Sequence, residues 1–199
     1  VTMLTNDLAD IRNVTRPIAQ RLSAEYPDFA ASLATAMIDI LMSSQAKEEI
    51  RTSLVRLLKE DLPGWMTGVT KDTALRLLQA KSSATQELAG YILSANKENW
   101  AKDFETIEIV KLADNEILSV REAARDLFLQ NIDRLRQNET EMLSAVRIVE
   151  CKWEDSREFG FRLFSTFFTS DDLTPSVLIT LCDSIREDVR SFGRTLVTR

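Results

Sequence analysis

The chain has 199 residues, of which 44% are hydrophobic, so it can bury a sizeable core and the composition argues against intrinsic disorder. Five glycines and four prolines are few, which favours helices over a β-rich fold with many tight turns. The net charge of -6 argues against a protein that coats nucleic acid, because such binding faces are strongly basic.

Residue types that carry chemistry are sparse. There is no histidine, which removes the commonest general base and metal ligand. The two cysteines, Cys151 and Cys182, have no CxxC spacing, so the sequence predicts buried thiols in a reducing cytoplasm rather than a zinc site or a disulfide. No glycine-rich phosphate loop and no GxSxG motif occurs. We therefore expect no enzyme, no cofactor and no metal.

The two ends of the chain carry expectations of their own. No signal-peptide pattern opens the sequence, and no apolar run approaches the ~20 residues that cross a bilayer, so no membrane contact is expected. The sequence starts at Val1 and stops at Arg199 within an apparent helix, from which we expect a piece of a longer chain. Phe192, Leu196 and Val197 would then face outward at an uncapped C-terminal end, which predicts a further contact there.

A segment with one apolar pattern recurs along the chain every 33 to 36 residues. Each copy is apolar at offsets of three, four, seven and eight residues from an anchor position, which is the stripe of an amphipathic helix. The residue four after the anchor is Ala or Gly in most copies, so a neighbouring helix could approach closely. The anchors are Thr15, Ile50, Thr85, Val120, Ser156 and Val189.

A second helix precedes the anchor in each copy from the second onward. Apolar residues recur ten positions upstream, and Thr174-Pro175 reads as an N-cap followed by a first-turn proline. The unit is therefore helix, turn, helix, with an apolar stripe on each helix. Since one pair cannot bury both stripes, the pairs must stack. The sequence predicts an all-α solenoid of about six stacked helix pairs, in one domain over residues 1–199.

Acid–arginine pairs recur across the turns. An acid stands six residues before the anchor and an arginine one residue after it. In the third copy both positions are glutamine, so acid and base are absent together. These residues could form a catalytic or phosphate site, or a structural ladder along the turns; repetition at one register favours the ladder. The pairs are Asp114 and Arg121, Glu150 and Arg157, and Asp183 and Arg190.

With these residues the chain resembles the HEAT and armadillo-like repeat proteins. The resemblance rests on Asp114 followed by Val-Arg-Glu-Ala-Ala-Arg-Asp-Leu at 120–127, and it extends over essentially the whole chain. Gln79 and Gln86 depart from the pattern, as does Pro17 in the first copy. The resemblance implies a right-handed superhelix whose second helices line the concave side. It also implies a scaffold for proteins or, less often, for nucleic acid.

The candidate binding residues lie on the second helices, at positions that point away from the apolar stripe. Phe161 supports two interpretations: either the fifth repeat has a broader apolar stripe, or Phe161 is an aromatic anchor among arginines that binds a partner. The candidates are Val55, Arg56, Tyr91, Arg125, Phe161, Arg162 and Arg194.

The function expected from these features is a non-catalytic scaffold that binds a protein or peptide along the concave face. The alternative is a nucleic-acid-binding or DNA-glycosylase-type HEAT-like protein, whose groove uses Trp, Asp and Arg. Of the tryptophans, Trp65 and Trp100 both stand 15 residues after an anchor, a repetition that favours packing between layers over a lesion-binding role. Trp153 lies in a turn, outside the expected groove.

Overall fold

The computed structural model describes residues 1–62 and 64–198, and 75% of the chain is helical, with no strand in the described part. The all-α class is thereby confirmed. The tertiary contacts divide the helices into two compact units, Val1–Asn96 and Lys97–Arg199. The prediction of one domain over residues 1–199 stays a prediction, and the two units are described in turn.

The first unit consists of two helix pairs preceded by one further helix. The helix α2 packs against α1 and against α3, α4 packs against α5, and the second helices α3 and α5 pack against each other. A short 3-10 turn, Met66–Gly68, lies between α3 and α4. The helices are α1 (Ala9–Glu25), α2 (Pro27–Met42), α3 (Glu48–Glu60), α4 (Lys71–Leu78) and α5 (Ser83–Ala95).

The second unit repeats the arrangement three times. The first helices α7, α10 and α12 pack side by side, and α7 pairs with α8 as α12 pairs with α13. The helix α11 packs against α8 and against a 3-10 turn, Arg147–Glu150, that extends α10. The helices are α6 (Lys97–Trp100), α7 (Thr106–Ala113), α8 (Leu118–Gln130), α9 (Ile132–Gln137), α10 (Glu139–Val146), α11 (Glu154–Thr166), α12 (Pro175–Cys182) and α13 (Glu187–Val197).

Helix starts follow from the repeat register and from local caps. Five of the six anchors are the third residue of a second helix, namely of α3, α5, α8, α11 and α13. Side-chain caps fix several starts: Ser82 Oγ accepts from the Thr85 amide at 3.2 Å, and Glu105 and Glu108 form a capping box at α7. The predicted start of α12 at Pro175, after Thr174, is also confirmed.

The first copy of the repeat begins one helical turn earlier than its sequence pattern predicts. The third residue of α1 is Ile11, not Thr15. Arg12 then takes the place of the anchor arginine, because its Nη1 donates to the Asn6 and Asp7 carbonyls at 2.6 and 3.0 Å. The sequence pattern predicted the wrong anchor because α1 has apolar residues on two overlapping registers. Residues 1–8 form turns, so within the described residues α1 stands without a first helix of its own.

Small residues at the fourth position after the anchor allow close packing, as predicted. A Cβ on Gly160 would lie 2.8 Å from Ile148 Cγ2 and Val149 Cγ1. A Cβ on Gly193 would lie 2.9 Å from the backbone nitrogen of Cys182 and the backbone carbon of Leu181. Backbone atoms cannot move aside as a side chain can. An added side chain is therefore tolerated less well at Gly193 than at Gly160.

Gly193→Ala should therefore destabilise the fold even though Ala is the better helix former. We expect a loss of about 1–3 kcal/mol in the free energy of unfolding, from overpacking against α12. Urea titration followed by circular dichroism measures the change. Gly68→Ala is the control, because a Cβ at Gly68 meets nothing within 4 Å. Equal stability of the two variants would contradict the close approach of α12 and α13.

Candidate partner-binding surface

Arg121, one residue after its anchor, binds the carbonyls of its own turn and directs its Nε toward the next repeat. Arg121 Nη1 donates to the Asn115 and Glu116 carbonyls at 3.1 and 3.0 Å, and Arg121 Nε lies 3.0 Å from Asp155. The Arg121 side chain is 9% exposed. These carbonyls follow the end of a helix and have no intrahelical donor, so a buried guanidinium satisfies them.

Arg157 repeats this geometry one pair further on. Its Nη1 donates to the Cys151 and Lys152 carbonyls at 3.0 and 2.8 Å, and its Nε is 3.8 Å from Asp188. In α13, Arg190 donates to the Ser184 carbonyl at 2.7 Å.

The predicted pairing of each arginine with the acid seven residues before it is therefore wrong. Asp114 Oδ1 accepts from the Lys152 backbone amide at 2.6 Å instead of from Arg121. Glu150 Oε1 accepts from Ser184 Oγ at 2.7 Å instead of from Arg157. Asp183 is exposed, and Arg190 pairs with Glu187 instead of Asp183. Turn carbonyls already occupy Nη1 of Arg121 and Arg157, so the Nε of each arginine faces the adjoining repeat. The acids Asp114 and Glu150 likewise bind residues of that repeat.

Two buried asparagines that the sequence reasoning missed connect successive pairs in the same way. Asn96 Nδ2 donates to the Met66 and Ile92 carbonyls at 3.0 and 2.9 Å. Asn131 Nδ2 donates to the Ala101 and Leu127 carbonyls, both at 2.9 Å. Both asparagines are 2% exposed and stand 11 residues after an anchor. This common register is the signal that could have revealed them.

The candidates in the first unit are less available than predicted. Val55 is 4% exposed, so its assignment to an open groove is wrong; α3 is covered by both α2 and α5, which widens its buried stripe. Arg56 is exposed and pairs with Glu60 at 3.0 Å. Tyr91 is half-buried, and its hydroxyl accepts from Lys59 Nζ and donates to Glu87, both at 2.6 Å.

Three candidates in the second unit lie on α11 and α13, where two aromatic rings are in contact. The half-buried rings of Phe161 and Phe192 have centroids 4.8 Å apart and are tilted by 50°. Arg162 is exposed and forms no ion pair in the described part of the chain. Arg194 is 64% exposed, with Nη1 3.5 Å from Glu187. We call Phe161, Phe192, Arg162 and Arg194 the aromatic–arginine face.

Arg125, the remaining candidate, serves a structural contact. It ion-pairs with Asp155, the same carboxylate that Arg121 binds. Burial disfavours the charged form of Asp155, but the hydrogen bond and charge of Arg121, with the charge of Arg125, outweigh that effect and hold the pKa of this carboxyl below its usual value.

The C-terminal end is less open than predicted. Leu196 is 6% exposed, and Phe192 turns back onto Phe161, so neither faces outward as expected. Val197 does face outward, with 58% of its surface exposed.

The tryptophans make structural contacts. Trp65 is 9% exposed, and its Nε1 donates to the Leu58 carbonyl at 2.7 Å. Trp100 is half-buried. Trp153 Nε1 donates to the Asp114 carbonyl at 3.2 Å, and the Arg121 guanidinium lies 4.5 Å from the Trp153 ring centroid. The indole of Trp153 therefore supports the same arginine that organises the turn.

The thiols and carboxylates offer little chemistry. Burial, with the nearby charge of Asp114, raises the pKa of the Cys151 thiol to about 12, so a reactive thiolate does not form near neutral pH. Within residues 1–62 and 64–198, no group of three or more potential ligands could hold a metal ion. None of the helices described is long and apolar enough to cross a membrane.

Comparison with known proteins adds no further assignment, since no protein-family model, curated protein or solved structure matches the chain.

Arg121→Ala should destabilise the fold because two turn carbonyls lose their donor and Asp155 loses one of its two arginines. We expect a loss of about 1–3 kcal/mol in the free energy of unfolding. Arg147→Ala is the control, because Arg147 is exposed and its side chain donates to no carbonyl or carboxylate within the described residues. Thermal melts of both variants measure the difference. An unchanged melt for Arg121→Ala would show that the contacts of Arg121 do not hold the repeats together.

Asp155 should also contribute to the acid sensitivity of the fold. Because its pKa is lower in the folded chain, its stabilisation is present above the unfolded pKa of about 3.9 and is lost as the pH falls through the folded value. Asp155→Asn should therefore flatten the loss of stability below about pH 4. Urea titrations between neutral pH and acid pH measure this effect. Asp171→Asn, at an exposed position, should retain the wild-type pH dependence.

Proposed function

We propose that the chain is a non-catalytic HEAT-like scaffold module that binds a protein or peptide through the exposed face of its second helices. The fold part of the proposal is a right-handed α-solenoid of such repeats. It is supported by the order of packing within each unit, where α3 packs on α5, α8 packs on α11, and α7, α10 and α12 pack in sequence. A solenoid presents equivalent helices along one extended surface, which suits recognition of a partner.

The aromatic–arginine face is the observation that carries the binding part of the proposal. Large aromatic side chains and arginines dominate binding energy at protein interfaces. The rings of Phe161 and Phe192 are half-buried, so they are held in place yet retain surface for a partner. Arg162, which follows Phe161 in α11, is exposed and forms no ion pair within the described residues, and it favours a ligand that combines an apolar side chain with a carboxylate.

A displayed library of random 12-residue peptides tests this assignment on the whole chain. We expect selected peptides to pair a large apolar residue with an acidic residue nearby. Phe161→Ser and Arg162→Gln should each weaken a selected peptide by about tenfold, since each removes part of an interface hot spot. Ile179→Ser is the control, because Ile179 is 64% exposed on the first helix α12.

The outcomes separate the two interpretations of Phe161. If Phe161→Ser sharply lowers the melting temperature, the residue belongs to a broader core stripe. If the variant melts near the wild type and loses the peptides, the residue is a binding anchor. Full-affinity binding by a folded Phe161→Ser variant would contradict the proposal. Binding of duplex DNA at low salt, lost with Arg162→Gln, would favour the nucleic-acid alternative instead.

A further inference from the structure

The outer face of α1 exposes two apolar residues whose counterparts at the same register in α5, α8 and α11 are buried. Val14 and Ile18 are 70% and 51% exposed. Counted from Ile11, they stand three and seven residues after the anchor. The residues at these two positions in α5, α8 and α11 are at most 7% exposed: Leu88 and Ile92, Ala123 and Leu127, Phe159 and Leu163.

Contacts within the second unit show what covers these positions. Phe159, three residues after its anchor, lies with its ring centroid 6.2 Å from that of Phe128 on the preceding second helix. Phe192, at the same register, lies 4.8 Å from Phe161 on the preceding second helix. The surface that Val14 and Ile18 expose is therefore of the kind that accepts another second helix.

An acidic residue completes the match. Asp155 and Asp188, each one residue before an anchor, lie 3.0 and 3.8 Å from an arginine of the preceding second helix. The residue at this register in α1 is Asp10, which is exposed and has no ion-pair partner within the described residues. Asp10, Val14 and Ile18 are spaced by four, so they lie along one face of the helix.

A small apolar groove lies beside this face. It has a volume of about 250 Å³ and runs between α1 and α2, where Ile18, Leu22, Phe29 and Leu33 line it. Phe29 is 38% exposed at its edge. The groove gives large apolar side chains of an incoming helix a place to insert, next to the stripe formed by Val14 and Ile18.

From this register match we infer that the outer face of α1 docks an amphipathic helix of a partner, and that this helix carries an arginine for Asp10 beside an apolar stripe for Val14 and Ile18. The charge of Asp10 indicates a positive charge on the partner. The register match with α11 and α13, which pack on a preceding helix at these positions, indicates that the partner segment is helical. This surface uses residues other than the aromatic–arginine face, so it is a second docking site.

A peptide with the sequence of α8, Leu118–Gln130, is a suitable probe because α8 carries the arginines that Asp155 binds and the Phe128 ring that Phe159 contacts. The acetylated and amidated peptide is titrated into the ¹⁵N-labelled full chain. We expect amide shifts to concentrate at 10–22 and 29–33. A peptide with glutamine at both arginine positions should bind more weakly.

Variants of the full chain test each part of the surface. Val14→Asn should weaken the peptide about tenfold through lost apolar burial. Asp10→Asn should weaken it about threefold, with an effect that shrinks in high salt. Ile185→Asn and Asp72→Asn are the controls, because Ile185 is 94% exposed elsewhere and Asp72, like Asp10, is in the first turn of a helix. Both controls should bind as the wild type does.

Three outcomes would overturn the inference. One is the absence of amide shifts in α1 when the peptide concentration reaches about 1 mM, which is the weakest dissociation constant that we expect for such an interface. Another is undiminished binding by a folded Val14→Asn variant. The third is self-association in sedimentation equilibrium that Val14→Asn abolishes, which would assign the face to a second copy of the chain. Loss of the aromatic–arginine face through Phe161→Ser should leave this binding unchanged, so the two sites can fail independently.

Discussion

The turn geometry depends on the arginine that follows the anchor, because its guanidinium binds the carbonyls of the turn. The turn after a first helix presents carbonyls that have no intrahelical donor. Arg121 and Arg157 fill this need with two carbonyl bonds each, and both direct Nε toward an aspartate of the following pair. One side chain thus closes its own turn and orients the next repeat. A lysine could not do both, because it lacks the planar fork of donors.

Close packing imposes the complementary constraint within a pair. Where Gly193 stands, the backbone of α12 approaches to a distance that no Cβ would tolerate. The helix start, the glycine and the arginine therefore belong to one geometric requirement: the second helix must begin just after the turn and cross tightly over the first. Gln86 shows how far the requirement can relax, since its amide donates to a single turn carbonyl, that of Ala80, at 2.7 Å.

Periodicity predicted the helices well because five of the six anchors mark the start of a second helix, and both the apolar stripe and the small residue depend on local spacing. It failed where the contacts or the burial of a residue depended on neighbours that are distant in the sequence. Asp114 and Arg121 are close in sequence, yet each binds across the repeat boundary, which spacing within one repeat cannot reveal. Val55 occupies a position that is open in a single isolated helix but covered once both neighbouring helices pack on α3. In α1 two overlapping apolar registers made the anchor ambiguous, and only the carbonyl bonds of Arg12 resolved it.

The same register also separates structural residues from those free to bind. A charged side chain at a position that contacts the next repeat is used by the fold, as Arg125 is by Asp155. Arg162, by contrast, is exposed and forms no ion pair within the described residues. Asp10 stands at the register of Asp155 but is exposed and has no ion-pair partner within the described residues. The proposed binding surfaces are therefore of two kinds: exposed side chains that the packing does not use, and packing positions that no helix covers in the described part of the chain.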